Sequence, residues 1–204
     1  MPYSDFTFQR IETDLGLALE ETDMFSSVEA VESSAAFSDL LQENVPLALA
    51  INTEKARSEL IIAPVLVELR KRLNHRISLF SGIEFNVDAK KGLNGVCDFM
   101  ISASHRQVLI SAPIINVVEA KNENIRNGIP QCIAEMYAAQ LFNTAKSIAA
   151  PSVYGIVTTG SSWKFMQLQG TTVTIDSLEY FIDNIKKIMA ILLYMVRQSS
   201  ASPV

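Results

Sequence analysis

An α/β fold, a mixed β-sheet with helices packed on its faces, follows from three features of the sequence. Apolar residues recur first at helical spacing, then through three β-rich runs, a second helical stretch, two more β-rich runs and a last helical stretch. That order, αβββαββ plus a C-terminal helix, interleaves the two element types, which is the signature of a sheet covered by helices. At 204 residues and 49% hydrophobic side chains, the chain has the size of one domain and enough apolar material for a substantial core.

Taken in order, residues 1–45 read as an acidic N-terminal appendage packed on or beside a body at 46–204. Ile11, Leu15, Leu17 and Leu19 are spaced by two and four, which helix and strand templates both accept. Residues 26–42, rich in Ser, Ala and Glu, predict a helix that Pro46 interrupts. The first helix of the body spans about 53–73, with Asn52 or Thr53 as its cap and Leu60, Ala63 and Val67 on an apolar stripe. Pro64 lies inside it and predicts a kink or two helical pieces, because proline brings no N–H and crowds the preceding turn. Strands follow at 77–87, 96–103 and 114–120, the first two joined by a loop of turn-forming residues at 88–95. Gly128 and Pro130 open a helix at 130–148. Two strands at 153–158 and 163–169 meet at Thr159-Gly160-Ser161-Ser162, a good hairpin turn. A final helix is expected at 177–198.

Charge and cysteines narrow the function classes. The first 50 residues hold ten acidic side chains and one basic one, Arg10, while the remainder carries a net charge of +4. Lys55, Arg57, Arg70, Lys71, Arg72, Arg76, Lys90 and Lys91 fall in one stretch, which suits phosphate contacts or, equally, a solvated helix face and loop. The longest apolar run, residues 188–196, is about half the roughly 18 residues a membrane span needs. Cys97 and Cys132 make neither a disulfide framework nor a zinc knuckle, and the first residues do not read as a signal peptide. A reduced, cytoplasmic setting is the expectation.

The chemistry concentrates in Ile114-Ile115-Asn116-Val117-Val118-Glu119-Ala120-Lys121. A buried strand ends there in a carboxylate and an ammonium, which the two-residue strand period points to one face. Charge at the end of an apolar strand is costly unless something pairs with it. A Glu-x-Lys triplet alone is weak, since about one Asp/Glu-x-Lys is expected by chance. A second one, Asp88-Ala89-Lys90, sits in a polar turn and reads as a solvated loop. Glu119 differs in having a partner upstream, Asp98, in the apolar run Val96-Cys97-Asp98-Phe99-Met100. Hairpin pairing of the two strands brings Asp98 beside Glu119, and two such carboxylates repel unless a cation lies between them. A hard cation such as Mg²⁺ suits two carboxylates, a backbone carbonyl and waters.

These residues resemble the motif of the PD-(D/E)xK nuclease superfamily, and the element order over about 52–170 is similar to its restriction-endonuclease-like fold, a mixed sheet flanked by helices. The resemblance implies Asp98 as the first acid, with Glu119 and Lys121 as the second acid and the lysine. Many members add a glutamate on the first helix, which falls on Glu59, and some a glutamine at the second core helix, which falls on Gln131. The chain departs from the pattern at Cys97, where the family name has proline, and from the RecB-like subgroup's Gln-x-x-x-Tyr in having Tyr137 rather than a tyrosine four positions after Gln131. The activity that the resemblance implies is that of a metal-dependent endonuclease hydrolysing phosphodiesters of nucleic acid, with DNA the first expectation. Asp98, Glu119 and the Ala120 carbonyl would hold Mg²⁺ or Mn²⁺, with Glu59 in support. Lys121 would steady the transition state, Gln131 would orient the site, and Arg126 could reach a phosphate oxygen.

Plainer readings stand beside these. Glu59 can be a surface residue pairing with Lys55 or Arg57, and Gln131 an ordinary helix residue. Glu123 and Glu135 read as surface acids, although Glu135 lies one turn beyond Gln131 on the same face. His75 and His105 are isolated, Trp163 reads as core, and Cys97 faces away from Asp98. The rival function is a non-catalytic binding or regulatory module that keeps the fold and its polar pocket. Leu178, Phe181, Ile182, Ile185, Met189 and Leu192 form a core stripe on the last helix, and Ile188, Ile191, Leu193, Tyr194, Met195 and Val196 extend it around. Such a helix needs cover on several sides, so a homodimer through it is expected, with Phe6, Phe8, Leu15 and Leu17 of the appendage as the competing cover.

Overall fold

The computed structural model describes residues 2–148 and 152–200; residues 149–151 and 201–204, which belong to the expected body, lie outside the described residues. Its elements are α1 (Phe8–Leu15), β1 (Ala18–Thr22), α2 (Ala35–Ile51), α3 (Glu54–Arg57), a π-helical turn (Ser58–Ile62) and α4 (Ala63–Arg72). They continue with β2 (Ser78–Glu84), β3 (Val96–Ser102), β4 (Ile114–Ala120), α5 (Ile125–Ala145), β5 (Val153–Thr158), β6 (Ser162–Gln169), β7 (Thr172–Asp176), β8 (Tyr180–Phe181) and α6 (Ile185–Ser200). All eight strands join one mixed sheet in the order β1-β7-β6-β5-β4-β3-β2, with β8 beside β6. The β1–β7 and β4–β5 pairs are parallel and the others antiparallel. One core lies between the sheet, α1 and α5; the other holds the sheet against α2, α4 and α6.

The N-terminal residues are part of this architecture. Thr7 caps α1 by accepting the Arg10 N–H, Gly16 ends it in the left-handed region, and the chain turns directly into β1. The pattern of Ile11, Leu15, Leu17 and Leu19 is thus ambiguous because it spans a helix and a strand. Tyr3, Phe6, Ile11, Leu15 and Leu17 are buried against α5, and Phe25, Phe37 and Leu41 on the opposite face.

Pro46 does not end α2, which runs on to Ile51 with Asn52 as its C-cap. Phe37 and Leu41 before the proline and Ala48 after it are all buried, and this anchoring outweighs the roughly 3 kcal/mol that an internal proline costs. The helix expected at 53–73 is capped by Thr53, which accepts the Ala56 N–H, and it does break ahead of Pro64. The break is a π-helical turn, a geometry that appears where the α-helical ladder is interrupted. Pro64 cannot donate to the Leu60 carbonyl, and the Asn44 side-chain amide donates to it instead at 3.0 Å.

Two helices start elsewhere than expected. α5 begins at Ile125, not at about 130, because Asn124 caps it by accepting the Arg126 N–H, and Pro130 lies within its early turns. The expected 177–198 helix begins only at Ile185, after β8 and a short 3-10 turn. Tyr180 pairs with Trp163 and its hydroxyl donates to the buried Asp176, so tertiary pairing overrides the helical spacing there. Leu178 and Phe181, expected in the core stripe, are exposed as a result.

From Ile188 to Val196 every side chain of α6 except Tyr194 is buried within this one chain. Part of the cover is the segment after β1: Phe25 packs edge-on against Tyr194, Val31 N–H donates to the Lys186 carbonyl, and the Lys187 ammonium donates to the carbonyls of Ser26 and Val28. The reason for expecting a second copy over this helix therefore disappears. Phe6, Leu15 and Leu17, named as the competing cover, belong to the other core. Among the described residues, no helix is long and apolar enough to cross a membrane.

Candidate active site

β4 is buried at every position, and its C-terminal end brings charge to the edge of the core. Glu119 is 2% exposed, and its Oε1 accepts from the Lys121 ammonium at 2.5 Å, so the two side chains share a face as the strand period requires. Lys121 also donates to Gln131 Oε1 at 3.3 Å, and Gln131 Nε2 donates to Glu135 Oε1 at 3.2 Å. α5 passes close enough to make this chain because residue 128 is glycine: a Cβ there would lie 2.7 Å from Val157 Cγ1 and 3.0 Å from Lys121 Cε.

Antiparallel pairing of β3 with β4 brings Asp98 beside the end of β4, as the hairpin expectation has it. The register between β3 and β4 pairs Phe99 with Val118, and just beyond it the Asp98 carboxylate accepts the Ala120 N–H at 2.8 Å. The side chain takes the place of the next ladder bond, which fixes its orientation from β4 itself. Asp98 and Ala120 line a cavity of about 260 Å³ with Ser81 and Gly82 of β2 and Glu54, Lys55, Ser58 and Glu59 of the first helix.

The electrostatics are those of too many acids for one base. Burial, then Asp98, push the Glu119 carboxyl up to about 7, against the opposing pull of Lys121. Asp98 is raised by burial in spite of its bond from Ala120 and the nearby Lys121. Glu135 is fully buried and pushed well above the carboxylate range by burial and by Glu119. Burial works against the Lys121 ammonium, but Glu119, Asp98 and Glu54 together hold its pKa above the usual value. Glu119 Oε2 and Glu135 Oε2 are both buried without a hydrogen-bond partner among the described residues.

Of the residues singled out in the sequence, Asp98, Glu119, Ala120, Lys121 and Gln131 are thus brought together. Glu59 lines the same cavity with 61% of its side chain exposed, and it pairs with Lys55 at 2.9 Å. Arg57 clamps the β5–β6 turn through Thr159 and Ser161, and Arg72 pairs with Glu68, so these two members of the basic stretch have structural partners. Trp163 is buried with its indole N–H donating to Gly160. Cys97 lies in the core on the α5 side, where burial pushes its thiol up. His75 and His105 are exposed.

Glu135 corrects the surface reading: it stands in the core, four residues after Gln131 on α5. Glu54, a third acid lining the cavity beside Asp98 and Glu59, was not singled out from the sequence. An acid in the first turn of a helix is common for dipole reasons alone, which hides any further role.

The donor set suits a hard cation. Two carboxylates and the main-chain carbonyl of Ala120 are the oxygens such an ion takes, and Glu119 Oε2 is a buried oxygen still lacking a partner. Among the described residues there is no group of three or more His, Cys, Asp or Glu side chains gathered to hold a metal. An ion held by two carboxylates and one carbonyl would keep several waters. Fold and site together define an α/β protein with an acid–lysine cluster at the end of a central parallel strand pair. No protein-family model matches the chain. No curated protein and no solved structure shows significant similarity to it.

Proposed function

We propose that the chain is a Mg²⁺-dependent phosphodiester hydrolase of the PD-(D/E)xK kind, acting on nucleic acid and on DNA first. The observation that carries this reading is the pairing of Asp98 and Glu119, both raised by burial, with a single lysine in contact with Glu119. Asp98, Glu119 and the Ala120 carbonyl would hold the ion, with Glu59 reaching it directly or through water. A divalent ion there supplies a water of lowered pKa and a counter-charge for the phosphate. Asp98 is oriented by the Ala120 N–H, so its carboxylate needs no rearrangement to bind. With an ion sharing the charge of Glu119, the Lys121 ammonium would be available to stabilise charge that develops on the phosphate. Gln131 holds that ammonium from α5, and Glu135 fixes Gln131 in turn.

The rival reading is a non-catalytic module that keeps the pocket. It is favoured by Glu59, which is largely exposed and closes on Lys55.

Melting in a Mg²⁺ or Mn²⁺ titration, beside cleavage of single-stranded, duplex and branched DNA and of RNA, decides between them. The wild type should be stabilised by the metal and should cleave; Asp98→Ala/Glu119→Ala should do neither. Lys121→Ala should keep the metal response and lose cleavage by about 100-fold or more, since its contribution falls in the transition state. A metal response without cleavage of any substrate selects the binding module. Equal melting shifts in the wild type and the double variant remove the metal site altogether.

A further inference from the structure

On the other side of the start of α5 lies a second cavity, of about 410 Å³, that the acid–lysine cluster does not use. Its floor is Lys164. The register runs Glu119 to Val157 to Lys164 across three adjacent strands, so Lys164 stands about 10 Å from Glu119 at the usual strand spacing and on the same face. The first turns of α5, with Gly128 against Val157, separate the two places.

Lys164 is 8% exposed, and its ammonium donates to the Ser177 carbonyl at 3.3 Å. Among the described residues it makes no ion pair. A buried cation with only a neutral partner is costly, and an anionic ligand relieves that cost. Arg126, on the first turn of α5, lines the same cavity and adds a second cation at a helix start, where oriented N–H groups favour anions. Phe8, Ile125, Ile129 and Ile175 give the cavity an apolar wall. Glu21 and Glu179 complete the lining, with Glu179 held by the Ser162 hydroxyl at 2.8 Å.

We propose that this cavity binds a phosphorylated nucleoside: phosphate on Lys164 and Arg126, base against the apolar wall, and sugar hydroxyls or base amino groups on Glu21 and Glu179. The volume falls within the range of small-molecule pockets, roughly 300–1,000 Å³. The two carboxylates oppose a bare or multiple phosphate, so they select for a single phosphate carried on a hydrogen-bond-donating body. The ligand is either a free mononucleotide or the terminal phosphorylated nucleotide of a strand. Binding needs no metal and no hydrolysis, so it stands or falls separately from the proposed activity.

Calorimetry on the full chain in EDTA tests it, with adenosine and deoxyadenosine monophosphates, adenosine, inorganic phosphate and a short 5′-phosphorylated oligonucleotide as probes. Saturable binding of a monophosphate or of the phosphorylated oligonucleotide, at least tenfold tighter than adenosine and inorganic phosphate, is expected. Whichever of the two binds tighter identifies the source. Lys164→Met and Arg126→Ala should each weaken it tenfold or more, and Asp98→Ala should leave it unchanged. If the buried Lys164→Met variant does not fold, Arg126→Glu at an exposed position carries the same test. Equal affinity for nucleoside and nucleotide, an Arg126→Glu variant that binds like the wild type, or no saturable binding at millimolar ligand overturns the proposal.

Discussion

Glu119 has its carboxyl pushed up to about 7, from an ordinary 4.5, because burial and Asp98 outweigh its contact with Lys121. Between those two values the folded chain binds more protons than the unfolded one, so stability falls as pH rises through that window. Asp98 and Glu135 are raised as well and act in the same direction. In EDTA the melting temperature should therefore drop between pH 5 and pH 7.5, and Glu119→Gln should flatten the curve and melt higher at pH 7.5. Asp14 and Asp23, whose carboxyls are lowered by hydrogen bonds, lose their contribution only at pH values below this window and do not mask the effect. A metal-free melting temperature that climbs from pH 5 to 7.5 would refute the account of the cluster.

At the scale of elements, the two helices that flank the cluster are held by features a propensity scale misses. Gly128→Ala would add about 1 kcal/mol of stability in an ordinary helix interior. Here its Cβ would meet Val157 and the Lys121 stem at 3.0 Å or less, and such overpacking costs about 1–3 kcal/mol. The variant should be less stable in urea than the wild type, and it should lose cleavage through the displaced lysine. The first helix depends on the Asn44 amide capping the Leu60 carbonyl that Pro64 leaves open. Asn44→Ala should cost about 1–2 kcal/mol in chemical denaturation. In an Asn44→Ala/Pro64→Ala background part of that loss should return, because residue 64 regains a donor; strictly additive losses would show that the two positions are independent.

For the molecule as a whole, the acidic N-terminal residues are structural. β1 pairs in parallel with β7, the Tyr3 hydroxyl donates to the Phe85 carbonyl, and Phe25 packs against Phe165 and Tyr194. Removing residues 1–34 strips cover from both faces of the sheet and bares the β7 edge, which invites association. We expect such a chain to lose cooperative thermal unfolding, followed by circular dichroism. A truncated protein that melts as sharply and as high as the full chain would make the segment an accessory after all.

The sequence by itself determined the alternation of helices and strands and the placing of β3 to β6, because each is a strongly patterned run bounded by turn residues. It also picked out Asp98, Glu119 and Lys121, since charge inside an apolar β-run stands out against its neighbours. The fate of Glu135 and Glu54 was decided only in three dimensions: a glutamate on a helix has the same local pattern whether its neighbours bury it or water does. The same holds for the last helix. Residues 177–184 have helical spacing, yet Tyr180 and Phe181 pair with β6 and the Tyr180 hydroxyl bonds to Asp176, so the helix starts only at Ile185. β1 lies far from β7 in the sequence, and their pairing depends on the tertiary packing that brings the two segments together.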